Sequence, residues 1–201
     1  MPKTDIAILA KAPVPGFAKT RLIPVIGAHA AAVLQERLMQ HAAAVAVEAA
    51  VGPVTVWCTP DPRHAAFREL VTRHGVTLRR QPEGDLGARM LAAMTDRPTL
   101  VTGMDCPALT TAHLCAAADA LARADVVLIP AADGGYVLIG TRTPQPALFD
   151  GMKWSTDTVL AETRARIAAR GLICVELEPL WDVDTENDLA RMEREMPALA
   201  L

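Results

Sequence analysis

Short runs of Val, Leu and Ile recur along this chain at intervals that leave room for a helix between each and the next. Ile6–Ala10, Val54–Cys58, Val76–Arg80, Thr99–Gly103 and Val126–Pro130 are the runs. Each has the length and composition of a buried strand. Between them lie Ala28–Ala50, Arg63–His74, Leu86–Met94 and Thr111–Arg123, each long enough for a helix. Thr110 or Thr111 suits the start of the last of these, and Gly75 suits the end of the second. Strand and helix in strict alternation predict a parallel sheet with helices on both faces.

The rhythm changes after residue 130. Only Gly134-Gly135 and their neighbours separate Val126–Pro130 from a further strand at Tyr136–Gly140, which leaves no room for a crossover helix, so these two strands are not parallel neighbours. A loop follows over Gly140–Met152, then a helix over Thr156–Arg170, a strand over Leu172–Leu177 and a helix over Glu186–Met196. With 51% hydrophobic residues among 201 and no repeat or linker, the expectation is one α/β domain over residues 1–201.

The formal net charge of −3 argues against nucleic acid or an anionic membrane as partner. No apolar stretch approaches the length of a membrane span, and a cytoplasmic protein is expected. The four Cys, at 58, 106, 115 and 174, form no C-x-x-C pair and read as free thiols.

In open α/β sheets, ligands bind beyond the C-terminal ends of the strands. The segment after the first strand reads Lys11-Ala-Pro-Val-Pro-Gly16-Phe-Ala-Lys19-Thr20-Arg21. It holds two of only four Lys, and no acidic residue occurs between Asp5 and Glu36. Pro13 and Pro15 stiffen it, and Gly16 permits a tight turn. A stiff cationic loop at a sheet edge suits a polyphosphate, or it is a solvated basic loop. It is neither a P-loop nor a dinucleotide fingerprint. After the third strand, Gly84 and Gly87 bracket a turn that either presents backbone N–H groups at a helix N-terminus or simply starts a helix capped by Asp85. Gln81, with a donor and an acceptor, has the chemistry of base recognition.

Gly103-Met-Asp105-Cys-Pro107 ends the fourth strand and projects Asp105 from the sheet edge, where it either holds a hard cation or caps a turn. A second set of acids lies at Trp181-Asp182-Val183-Asp184. Capping of the last helix explains Asp184 and Asp188 but not Asp182, and Val183 between two acids sends both to one side. Asp133-Gly134-Gly135-Tyr136 is either a plain hairpin turn or a turn on the binding edge. Trp154, before the helix at Thr156, is either a staple or a pocket wall.

In this order, Lys11-Ala-Pro-Val-Pro-Gly…Lys19-Thr-Arg-Leu22, Asp85-Leu-Gly-Ala-Arg-Met90, Gly103-Met-Asp-Cys-Pro107, Asp133-Gly-Gly-Tyr136 and Asp182-Val-Asp-Thr185 resemble the DUF2064 family of glycosyltransferase-A-like proteins. They are more distantly similar to 2-phospho-L-lactate guanylyltransferase and the molybdenum-cofactor nucleotidyltransferases. The resemblance implies a Rossmann-like three-layer fold with a mixed, mainly parallel sheet, of the nucleotide-diphospho-sugar transferase type. It implies that the Lys11–Arg21 loop (Lys11, Gly16, Lys19, Thr20, Arg21) carries phosphates and that Gln81, Gly84, Asp85 and Gly87 face the base. Asp105 and Asp184 would hold Mg²⁺ or Mn²⁺, and Asp133, Gly134, Gly135, Tyr136 and Trp154 would face the second substrate.

Most metal-dependent glycosyltransferases of this fold carry Asp-x-Asp where this chain has Asp105-Cys-Pro, which counts against sugar transfer. The expected function is therefore transfer of a nucleoside monophosphate from an NTP to a small-molecule acceptor, with pyrophosphate released and Lys19 and Arg21 stabilising the transition state. A glycosyltransferase using a nucleotide-diphospho-sugar and a non-catalytic nucleotide-binding protein are the alternatives. Asp105 and Asp184 are expected close together, with no Lys or Arg pairing them.

Overall fold

The computed structural model describes residues 3–201. Seven strands form one sheet: β1 (Asp5–Lys11), β2 (Val54–Thr59), β3 (Thr77–Arg80), β4 (Thr99–Thr102), β5 (Val126–Pro130), β6 (Tyr136–Thr141) and β7 (Cys174–Glu176). Their order is β3-β2-β1-β4-β6-β5-β7. Strands β1 to β4 pair in parallel, β6 runs antiparallel to both β4 and β5, and β7 is parallel to β5. This is the three-layer, mixed and mainly parallel sheet that the alternation and the resemblance predict.

Helices α1 (Ile23–Glu48), α2 (Ala65–His74), α3 (Leu86–Ala93), α4 (Thr111–Ala120), α5 (Val159–Ala169) and α6 (Glu186–Glu195) complete the fold. The first helix breaks at Gly27, whose backbone is non-helical, so the regular part begins where the sequence predicts it, at Ala28. Thr110 caps α4 and Thr185 caps α6, each in a reciprocal capping box, and Gly75 ends α2 in the left-handed conformation.

Side chains alternate across the strands, and the sheet therefore has two apolar faces. Ile6, Ile8, Leu100, Val127 and Ile129 pack under α1, α2 and α4 through Ala43, Phe67 and Leu114. Ala7, Val101, Val126, Leu128 and Ile139 face α3 and α5 through Met90, Leu160 and Ile167. A third, smaller cluster joins Leu22, Leu34 and Leu38 to Trp181, Val183, Leu189 and Met192, and it fixes α6 and the segment before it.

From β1 the chain winds outward to β2 and β3, then returns to the other side of β1 to form β4. A crevice opens at such a reversal, beyond the C-terminal ends of the two strands that flank it. Here those ends lead into the Lys11–Arg21 loop and the Gly103–Pro107 bend.

The β5–β6 connection is a tight turn, in which Ala131 donates its N–H to the Gly135 carbonyl at 3.0 Å. Gly134 has φ +91°, and a Cβ there would lie 2.2 Å from the Asp157 carbonyl oxygen. Its own carbonyl accepts the Leu160 N–H at 2.9 Å. The expected backbone approach at Gly134 is thus to the start of α5 rather than to a substrate. Gly134→Ala combines left-handed strain with a backbone clash and should cost about 2 kcal/mol or more. The check is a melting curve: Tm should fall by at least about 4 °C for a chain of this size. An unchanged Tm would return Gly134 to the list of substrate contacts.

Candidate active site at the sheet reversal

Lys19 stands at the centre of the crevice. Its backbone is left-handed, with φ 44° and ψ 48°, which is uncommon for a residue with a Cβ. Its side chain turns inward and is only 4% exposed. The ammonium forms an ion pair with Asp105, lies 3.5 Å from Asp184 Oδ1 and donates to the Val183 carbonyl at 2.6 Å. Arg21, two residues on, reaches Asp184 Oδ2 at 3.2 Å from a largely exposed position. Asp105 and Asp184 therefore do converge, but around a lysine. The expectation that no Lys or Arg would pair them is wrong: Lys19, which has no acidic neighbour in its own loop, finds its partners far along the chain. Two carboxylates this close repel, and a buried ammonium without a counter-ion is costly, so the three groups settle together.

The acids are aimed by packing on their own segment. Trp181 and Val183 are buried, and Asp182 and Asp184 alternate with them toward the crevice. The segment lies outside the sheet ladder and is held instead by Val183 N–H to the Asp105 carbonyl at 2.9 Å and by Arg191 over the Trp181 ring at 4.4 Å. Burial, with Asp133, Asp184 and Asp105 nearby, pushes the Asp182 carboxyl up to about 6.

Two cavities that share Asp184 hold most of the predicted residues. The first, about 330 Å³, is lined by Lys11, Lys19, Thr20, Arg21, Gln81, Asp105 and Asp184 from the sequence-predicted set, with Phe17, Leu86 and Arg89 added. The second, about 390 Å³, is lined by Asp133, Gly135, Tyr136 and Trp154, with Arg21, Ser155, Thr156, Asp157, Asp182 and Asp184. Arg21, Leu86 and Asp184 belong to both.

Several predicted roles change. The Gln81 amide N–H groups are taken by the Ala10 and Trp57 carbonyls at 3.2 and 2.8 Å, tying the ends of β1 and β2 together and leaving only its oxygen to a ligand. Asp85 caps α3 by accepting the Ala88 N–H at 2.8 Å. Gly84, Asp85 and Gly87 line a separate hollow with Phe149 and Gly151, not the first cavity. Gly87 is required by packing, since a Cβ there would come within 2.7 Å of the Trp154 ring. Gly16, with φ +84°, shapes the loop without lining either cavity. Tyr136 offers the second cavity a ring wall, because its hydroxyl is buried and its titration raised by that burial. Trp154 is a wall: it lines the second cavity and stacks on Phe149, in the preceding loop, at 6.4 Å between ring centroids.

Arg89 was missed. It stands three residues after Leu86 on α3, a spacing that shares a helix face, and both line the first cavity. Its Nε is buried with no hydrogen-bond partner. Asp182 carries a signal in the sequence as the acid that capping does not explain. Cys106, beside Asp105, is buried and its thiol is pushed up to about 12, which makes it inert. Among the described residues, no cluster of three or more His, Cys, Asp or Glu is arranged to hold a metal ion, and no helix is long and apolar enough to cross a membrane.

The fold is that of the nucleotide-diphospho-sugar transferase and nucleotidyltransferase group. The structure superposes on a protein from Desulfovibrio desulfuricans G20, provisionally named a nucleotide-diphospho-sugar transferase, with a TM-score of 0.86 and 27% identity over 98% of this chain and 90% of that one. It shares the fold of a nucleotidyl transferase from Methanothermobacter thermautotrophicus (TM-score 0.63, 16% identity, 97% and 98% coverage). It also shares the fold of 4-diphosphocytidyl-2C-methyl-D-erythritol synthase from Anaerococcus prevotii (TM-score 0.62, 12% identity, 97% and 99% coverage). The chain belongs to the DUF2064 family, described as uncharacterized proteins conserved in bacteria, whose profile matches residues 34–156. No curated protein sequence matches it.

The raised Asp182 carboxyl gives a pH-dependent stability. The folded state holds a proton that the unfolded chain has lost between the ordinary 3.8 and about 6, so ionised Asp182 destabilises the fold above about pH 6. That penalty disappears as the pH falls toward 4. Asp182→Asn should therefore raise Tm at pH 7.5 by about 2–4 °C, on the order of 1 kcal/mol after solvent screening. The gain should shrink by pH 4.5. Paired melting curves test this, and a gain independent of pH would contradict the electrostatic origin.

Proposed function

We propose that this protein is a divalent-metal-dependent nucleotidyltransferase, moving a nucleoside monophosphate from an NTP to a small-molecule acceptor with release of pyrophosphate. The observation that carries this reading is the pair of cavities that meet at Arg21 and Asp184, one cation-rich and one acid-rich. Four cationic side chains line the first cavity, which suits a triphosphate carrying about four negative charges. Lys11 and Arg89 would take the outer phosphates. Arg21, on both cavities, stands where the α-phosphate and the acceptor would meet, and charge developing there is stabilised by such a group. The second cavity, with rings, hydroxyls and four carboxylates, would hold the acceptor with its nucleophilic oxygen toward Asp184.

Asp105 and Asp184 fit Mg²⁺ or Mn²⁺. They offer hard oxygen donors, are 42% and 40% exposed, and already share one cation. When bound, such an ion would draw charge off the phosphates. The nucleotidyl transferase and the 4-diphosphocytidyl-2C-methyl-D-erythritol synthase that share the fold support this reading. The name of the Desulfovibrio relative favours a second one, glycosyl transfer from a nucleotide-diphospho-sugar. Product analysis separates the two: pyrophosphate release from an NTP supports the first, and nucleoside-diphosphate release from a sugar nucleotide supports the second.

Lys11→Ala and Arg89→Ala should each weaken NTP binding about ten- to a hundredfold, the worth of a charge-assisted contact, and weaken NMP binding less. Calorimetry with Mg²⁺ checks this. Equal losses for NMP and NTP would move both residues away from the outer phosphates.

A further inference from the structure

The Lys19 ammonium lies where a cation shared by Asp105 and Asp184 would lie. Three contacts hold it there, from two carboxylates and the Val183 carbonyl. Arg21 covers the remaining oxygen of Asp184. The same two cations belong to the lining of the first cavity, so each ion pair occupies one group suited to metal and one suited to phosphate.

We propose that Lys19 is an internal stand-in for the metal, so that the carboxylates and the cationic loop mask one another until metal and polyphosphate arrive together. The inference rests on the reading that a metal–nucleotide complex binds this cleft. Free metal must displace an ammonium already bonded to Asp105. Free polyphosphate must draw Lys19 and Arg21 off their acids, leaving carboxylates that repel. Bound together, metal and polyphosphate satisfy both halves at once, because the dication replaces Lys19 between the acids while Lys19 turns to the phosphates. Coupling of this kind is reciprocal, so removing either partner must unmask the other.

Mn²⁺ titration followed by electron paramagnetic resonance, without nucleotide, reads one side. Lys19→Met should bind Mn²⁺ about tenfold more tightly than the unaltered protein, the worth of one charge-assisted contact. A lysine with a merely structural role would give the opposite sign, because a loosened site binds metal less well. Calorimetry with inorganic tripolyphosphate in metal-free buffer reads the other side. Asp105→Asn should tighten tripolyphosphate several-fold, and more than Asp182→Asn, which removes the same charge without touching Lys19. The Asp105→Asn arm stands even where Lys19→Met does not fold. Unchanged or weaker Mn²⁺ binding in folded Lys19→Met overturns the inference, as does equal gain in the two Asp variants. Absence of Mg²⁺–NTP binding to the unaltered protein overturns the nucleotidyltransferase reading itself, which separates the two failures.

Discussion

Val183 ties together three segments that are far apart in the chain. Its N–H donates to the Asp105 carbonyl, and its own carbonyl accepts the Lys19 ammonium. Through this one residue the loop after β1, the bend after β4 and the approach to α6 are held in register. The sheet reversal creates the crevice, but a reversal alone leaves three loops free to diverge. The peptide groups of Val183, buried with its side chain, remove that freedom, since unpaired backbone groups there would be costly.

Most of the architecture was legible because buried strands and amphipathic helices leave periodic traces. The run Val126–Pro130 matches its strand at both ends, and the Gly134-Gly135 pair marks the antiparallel turn. Gly75, Thr110 and Thr185 mark helix ends by local chemistry that needs no tertiary knowledge. The edge strand β7 was overestimated, at Leu172–Leu177 against Cys174–Glu176, because an edge strand pairs on one side only and only three of its residues are in register with β5.

The site was legible in its residues and less so in their partners. Sequence order shows that Lys19 lies in an acid-free stretch, but it cannot show that the acids after β4 and before α6 fold onto it. The same gap hid the partners of Gln81, whose two N–H groups meet carbonyls from other strands, and of Gly87, whose missing Cβ makes room for Trp154. Arg89 was overlooked because a cation at helical spacing from Leu86 resembles any solvated helix position until α3 is placed. The matched family profile spans residues 34–156, so it includes Asp105 and Asp133 but neither the cationic loop nor Asp184. Half of the cleft therefore lies in segments on which that profile is silent.

The small cluster under α6 has a further consequence. Leu22 closes the cationic loop, while Trp181 and Val183 flank the acids, and all three are seated on the same face of α1 with Leu34 and Leu38. The spacing between opposite charges at the surface is thus set by aliphatic volume beneath it, independently of the sheet. A change of side-chain size at Leu34, Leu38 or Met192 would move the loop and the acids relative to one another without altering a single charge. The hydrophobic interior acts here as the ruler for an electrostatic device, and a lineage could retune the cleft's affinities from positions that no ligand ever touches.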